Sequence, residues 1–170
     1  MRPTDRSVKR VKTPEEALSG LMRLCARAEK SESDARRLMH GWGVAPADAE
    51  RIVERLLRDR FIDDSRYAGA FVREKLRLSG WGEYKIRTAL QRKAIAKEVI
   101  DEALEQAPRE GMGERLLTQF ERKMKTIRYT TPYELKTKLI RYGLSLGYDY
   151  QTVLDTASSL VADTDLCDTF

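Results

Sequence analysis

The sequence predicts an all-α chain in which one three-helix unit is used three times. The first observation is a spacing. Gly43-Val44, Ala94-Ile95 and Gly147-Tyr148 lie 51 and 53 residues apart. Six residues past the first member of each pair sit Ala49, Ile100 and Val153, and ten past sit Val53, Leu104 and Ala157. A short helix of mixed apolar and basic residues precedes each pair, as in Ala35–Met39, Ile86–Leu90 and Leu139–Tyr142. A near-constant step means one supersecondary unit repeated, each burying its stripe against the next. The second observation is that no alternating apolar–polar run of strand length occurs. The third is composition: of 170 residues 35% are charged, 41% hydrophobic and 8% aromatic, which suits slender helical units with thin aliphatic cores. Repeats of this kind usually present binding surfaces, and the spacing predicts an elongated monomer.

Residues 1–12 carry no apolar period and read as a mobile basic arm. Thr13-Pro14-Glu15-Glu16 opens the first helix with a cap, a first-turn proline and two acids on the positive dipole end. Its stripe is Ala17, Leu18, Leu21, Leu24, Cys25 and Ala28. Ser31-Glu32-Ser33-Asp34 opens the second helix and Gly41-Trp42-Gly43 ends it. Ala45-Pro46 starts the third, with Ala49, Ile52, Val53 and Leu56 apolar. Asp63-Asp64 can cap the next helix, which buries Tyr67, Ala68, Phe71, Val72 and Leu76. Ser79-Gly80-Trp81-Gly82 is a tight turn. The helix from Glu83 to Lys93 offers Tyr84, Ile86, Ala89 and Leu90 to the core, and the next, about 96–107, stops at Pro108. The domain reading is an arm at 1–12, repeats at 13–62, 63–108 and 109–161, and an acidic tail at 162–170.

Charge is patterned more sharply than the net +5 suggests. Residues 66–93 hold eight Lys/Arg against two acids and residues 116–141 seven against two, while residues 13–65 are slightly acidic and residues 142–170 hold five Asp and no Lys or Arg. Localised basic blocks select polyphosphate partners, although single Lys and Arg residues also serve to solvate helix faces. Cys25 and Cys167 form no CxxC pattern, which fits a reduced cytoplasmic compartment. No run is long and apolar enough to span a bilayer, and no signal-peptide pattern is expected at the N-terminus. The one histidine, His40, has no partner set for zinc, and Asp63-Asp64 reads as a cap rather than a metal site. Gly80-Trp81-Gly82 lacks the lysine and hydroxyl residue of a phosphate loop. Trp42 and Trp81 are suited either to core and turn packing or to stacking on bases. No catalytic residue, cofactor or metal is expected.

Phe61-Ile62-Asp63-Asp64-Ser65-Arg66-Tyr67-Ala68-Gly69-Ala70-Phe71-Val72-Arg73 resembles the most recognisable segment of the RecX family, regulators of the RecA recombinase. Gly80, Ile86-Arg87 and Leu90 through Lys93 to Ile95 resemble that family's next helix, and the likeness runs over about residues 14–160. The resemblance implies three tandem three-helix repeats in a curved rod. It also implies binding to RecA and to the groove of the RecA–DNA filament, with modulation, mostly inhibition, of recombinase, ATPase and co-protease activity. Ala94 stands where the family has glycine, which implies a different cap at that helix end. On this reading the filament and nucleic-acid contacts are Arg73, Lys75, Arg77, Lys85, Arg87, Arg92, Lys93, Lys123, Lys125, Lys136, Lys138 and Arg141. Single- and double-stranded DNA are expected as weak, non-specific partners. The alternative is a free-standing helical DNA-binding module that acts without RecA.

The two basic blocks generate a first prediction. If about five phosphates are contacted, duplex affinity falls with salt at a log–log slope of roughly −4 to −5, whatever the base sequence. A titration at several salt concentrations checks this; a slope near zero, or strong preference for one sequence, contradicts it.

Overall fold

The computed structural model describes residues 11–108 and 111–167, the last five of these as backbone only. Most of the expected arm, and the acidic tail from 163 on except for helical backbone, lie outside this description. Among the described residues there are nine α-helices and no strand: α1 Pro14–Cys25, α2 Glu32–Gly41, α3 Pro46–Arg58, α4 Asp64–Glu74, α5 Glu83–Gln91, α6 Lys97–Glu105, α7 Met112–Met124, α8 Pro132–Leu146 and α9 Tyr150–Cys167. They make three successive three-helix modules, α1–α3, α4–α6 and α7–α9. A π-helical turn, Lys75–Ser79, prolongs α4. The chain divides into two compact bodies. One runs to Tyr67 and takes in Lys93–Ile95; the other holds Ala68–Arg92 and the chain from Ala96 onward.

Helix starts follow their capping chemistry. Thr13 Oγ1 accepts from the Glu16 N–H at 3.2 Å while Glu16 Oε2 accepts from the Thr13 N–H at 3.1 Å, a reciprocal box. Ser31 caps α2 through the Asp34 N–H at 3.2 Å. The acidic pair at 63–64 caps two helices rather than one. Asp63 Oδ1 accepts from the Arg66 N–H of α4, and Asp64 Oδ1 accepts from the Glu32 N–H at the start of α2, both at 2.9 Å. Some helix ends differ from expectation. α1 stops at Cys25, leaving Ala28 exposed outside the stripe, and α9 continues past 161 to Cys167.

All three repeat anchors are left-handed: φ is +73° at Gly43, +57° at Ala94 and +89° at Gly147. The different cap implied for Ala94 is therefore corrected. The backbone reverses there as it does at the two glycines, and the alanine bears the Cβ–carbonyl crowding that glycine avoids, about 1–2 kcal/mol. The residue after each anchor turns inward, Ile95 and Tyr148 being buried and Val44 half-buried.

In the first body Ala17, Leu21, Ala35, Met39, Ile52, Val53, Leu56 and Ile62 form the core. In the second, Leu116, Phe120, Leu135, Leu139, Val153 and Ala157 close the last module. Met39 and Leu90 are fully buried, and the same repeat position in the third module is Gly143. A Cβ there would lie 2.7 Å from Val153 Cγ2 and 2.9 Å from Phe120 Cζ, because the Phe120 ring fills that volume. Tyr84, expected in the core, is 65% exposed.

Between α8 and α5 the backbones touch. The N–H groups of Gly82 and Tyr84 donate to the carbonyls of Leu146 at 2.7 Å and Gly147 at 3.0 Å. A Cβ on Gly82 would overlap the Gly147 backbone, and one on Gly147 would overlap Lys85.

Two substitutions test these readings in denaturant. Ala94→Gly relieves the left-handed strain and, after the added entropy of the unfolded chain, raises stability by about 0.5–1 kcal/mol. Gly143→Ala should lower it by about 1–3 kcal/mol through overpacking, although alanine is ordinarily the better helix former. Opposite signs in either measurement contradict the packing described.

Candidate nucleic-acid interface

The twelve cations singled out in the sequence fall into distinct environments. Arg87 lies between α5 and α6, paired with Asp101 and, at 3.3 Å, with Glu83. Its hydrogen bond with Asp101 raises the guanidinium pKa further above its ordinary value. Fifty-one residues earlier the same arrangement occurs: Arg36 pairs with Glu50 and, at 2.7 Å, with Glu32. The triad is thus a repeated brace between the second and third helices of a module. In the third module the equivalent positions are Lys136, Ile140 and Leu154, and Ile140 packs against the core instead.

Lys93 belongs to the first body. Its Nζ stands 2.6 Å from Asp34 Oδ1 and 5.7 Å from the Tyr67 ring centroid. Asp34 is 6% exposed. Burial pushes its carboxyl up, but the Lys93 ammonium, the Ser31 hydroxyl and Arg37 outweigh this and hold it below the usual range. Burial likewise pushes Lys93 down, and its bond to Asp34 overrides that, leaving it raised. Arg87 and Lys93 are therefore engaged inside the protein. Lys138 is partly engaged, 2.6 Å from Glu134 Oε1 and from the Arg128 carbonyl oxygen.

Of the remaining cations in the second body, Lys75, Arg77 and Lys85 lie around the turn that joins α4 to α5. Lys75, which also pairs with Glu74 at 2.8 Å, and Lys85 place their ammonium groups 5.3 and 4.7 Å from the Trp81 ring centroid. Phe71 meets the same ring edge-on, with centroids 6.4 Å apart. Trp81 is thus a packed platform beneath two lysines. Trp42 is packed too, with Lys12 Nζ 3.3 Å from its ring centroid. Lys85 donates to the Ser145 carbonyl at 3.2 Å, so its stem and head are both fixed. A groove of about 370 Å³ runs from Trp81 and Lys85 past Thr88 to Arg92, with Leu144 on its far wall.

On the other side of the turn, a cleft of about 290 Å³ collects Arg77, Arg115 and Arg122. None of the three has an ion-pair partner among the described residues. Sequence reasoning missed Arg115 and Arg122. Their spacing of seven, with Thr118 and Gln119 between, marks one face of α7 and could have found them; their approach to Arg77 could not be read that way. Gln119 supports the cleft, its side-chain amide accepting from Tyr142 Oη at 2.9 Å and donating to the Ser79 and Gly80 carbonyls at 3.5 Å. Lys123 stands 5.2 Å from the Tyr142 ring. Arg73, Lys125 and Arg141 are exposed on the helices, and Lys136 is partly so. Among the described residues no three His, Cys, Asp or Glu side chains converge as a metal set. No described helix is long and apolar enough to cross a membrane.

Arginines without ion-pair partners, beside lysines packed on Trp81, make a positively charged candidate surface on a chain of repeated helical modules. The fold defines a class: a helical-repeat protein. Residues 63–104 match the model of the second three-helix domain of RecX. The chain is 31% identical over 134 residues to the regulatory protein RecX of Clostridium botulinum strain Eklund 17B, covering 78% of this chain and 62% of that protein. A second Clostridium botulinum strain, Alaska E43, has a regulatory protein RecX that is also 31% identical, covering 74% of this chain and 59% of that one. The chain thus spans about three fifths of the length of these relatives. The crystal structure of RecX from Lactobacillus salivarius superposes with a TM-score of 0.70 at 17% identity, covering 88% of this chain and 96% of that one, a likeness of fold. These likenesses support the RecX family, whose curated relatives are named regulatory proteins.

The two kinds of cation predict different stability effects. Lys93→Ala should cost about 1–3 kcal/mol, because Asp34 stays buried with weaker partners. Lys125→Ala and Arg141→Ala should change stability by no more than about 0.5 kcal/mol. The Asp34–Lys93 pair also has a pH signature. Because the folded Asp34 pKa is depressed, its contribution is present above the ordinary carboxylate value, about 3.9, and is lost as pH falls through the folded value. Asp34→Asn should flatten that acid limb in denaturation series run below about pH 4. An unchanged limb, or equal effects from all three lysine and arginine truncations, contradicts the assignment.

Proposed function

We propose that this chain binds RecA and the RecA–DNA nucleoprotein filament and modulates, mostly inhibits, recombinase, ATPase and co-protease activity in recombination, repair and the SOS response. The reading places it in the cytoplasm as a monomer, with modules bounded at 13–62, 63–108 and 109–161. Likeness to proteins named regulatory protein RecX supports the partner. The observation that carries the mechanism is the unpaired arginine set Arg77, Arg115 and Arg122 in the second body. Arginine forks suit phosphate geometry, and each contact releases counterions without reading sequence. Modulation then follows by steric overlap and by binding one filament state better than another.

A strand-exchange assay with RecA tests this. Reversing Arg77, Arg115 and Arg122 to Glu should abolish most of the inhibition while helicity is retained. The matched reversal of Arg51, Arg55 and Arg58 should do far less, since these pair with Asp48 and Asp59 on an already balanced face. Equal loss from both, or greater loss from the second, contradicts the placement. Binding to bare DNA as tight as to the filament, with no effect on RecA, would support the free-standing DNA-binding module instead.

A further inference from the structure

Resting on that reading, we infer that Tyr84 is a base-stacking residue and that the groove beside it takes single-stranded nucleic acid. Tyr84 lies on the first turn of α5 and is 65% exposed, yet its backbone is rigidly held, its N–H bonded to the Gly147 carbonyl and its own carbonyl to Thr88 Oγ1 at 2.8 Å. A large aromatic side chain displayed from a fixed backbone loses little conformational entropy when it meets a ligand. The ring stands on a divide, lining both the 370 Å³ groove and a neighbouring one of about 560 Å³. The two grooves differ in charge. The larger carries Glu83 and Asp149 beside Arg87, which is already paired with Glu83 and Asp101. The smaller holds Lys85 and Arg92 and no carboxylate at all, with Trp81 as its floor and Leu144, 43% exposed, as its apolar wall.

An acid-free groove with two cations and an exposed π face matches a nucleobase with its adjoining phosphate. Duplex does not fit, because its base faces are stacked away. Trp81 is the less free ring, half-buried and already in contact with Lys75, Lys85 and Phe71. Base stacking on aromatics tolerates any base, in keeping with a surface that reads no sequence.

The test uses a short fluorescent oligothymidylate and an abasic strand of equal length. Tyr84→Ala should weaken oligothymidylate binding about tenfold, and Tyr84→Phe should restore it. Affinity for the abasic strand and the salt slope should be the same for all three proteins, because the tyrosine carries no charge. As a readout that leaves Tyr84 in place, a Trp42→Phe variant reports Trp81 alone. Its emission should change on adding oligothymidylate and stay constant with the abasic strand. Equal affinities of Tyr84→Ala and the parent for oligothymidylate, or equal losses on both strands, overturn the inference. If Tyr84→Ala impairs modulation of RecA while oligothymidylate affinity is untouched, the groove serves a protein partner; the inference fails and the reading above stands. If the parent chain binds neither the oligonucleotides nor the RecA–DNA filament, both fail.

Discussion

The end of α8 is joined to the start of α5 by three carbonyls. Those of Ser145, Leu146 and Gly147, left without helical donors, accept from Lys85 Nζ and from the N–H groups of Gly82 and Tyr84. A helix C-terminus has orphan acceptors and a helix N-terminus has orphan donors, so each end satisfies the other and their dipoles meet with opposite signs. The contact requires glycine on both sides because backbone lies on backbone. Much of the candidate surface depends on it. It fixes the stem of Lys85 over Trp81, turns Tyr84 outward, and brings Leu144 to the wall of the same groove. An α5 start capped by its own side chain would leave none of these positions determined.

Electrostatics within the second body follow from where pairing is already complete. The Glu83–Arg87–Asp101 brace and its counterpart at Glu32–Arg36–Glu50 use complementary charge between the same two helices of successive modules. The third module puts Lys136, Ile140 and Leu154 at those positions, so its helices are held by apolar contact and its lysine is left over for solvent or a partner. Excess charge therefore accumulates around the α4–α5 turn and on α7, where Arg77, Arg115 and Arg122 form no ion pair among the described residues, although Glu114 lines the same cleft. Affinity for phosphate depends on such unpaired groups, since a paired guanidinium would first have to give up its carboxylate.

The helices were legible because their signals are local. Thr13, Ser31 and the proline starts of α1 and α3 fix helix beginnings by hydrogen bonding and φ restriction, and the 51- and 53-residue steps locate the three reversals. The spacing located the chain reversal at Ala94, but its left-handed backbone was not expected, because alanine in place of glycine implied a different cap. The failures were local as well. Tyr84 was placed in the core because it falls on the apolar phase of α5. Ala28 was given to α1 because an apolar period continues after the hydrogen-bonded helix has ended.

Sequence by itself determined the fold class, the repeat and the family resemblance, because periodicity, caps and a distinctive acidic–aromatic segment need only near neighbours. It also located the basic blocks. Only the tertiary structure decided which members of those blocks are available. Arg87 and Lys93 lie in the richest block, yet Asp101 and Asp34, 14 and 59 residues away, neutralise them. Arg115, missed in the sequence, lines one cleft with Arg77 because α7 packs beside the turn after α4. Charge counted along a chain is blind to such partners, since ion pairing depends on distance in space and that distance is set by packing between helices.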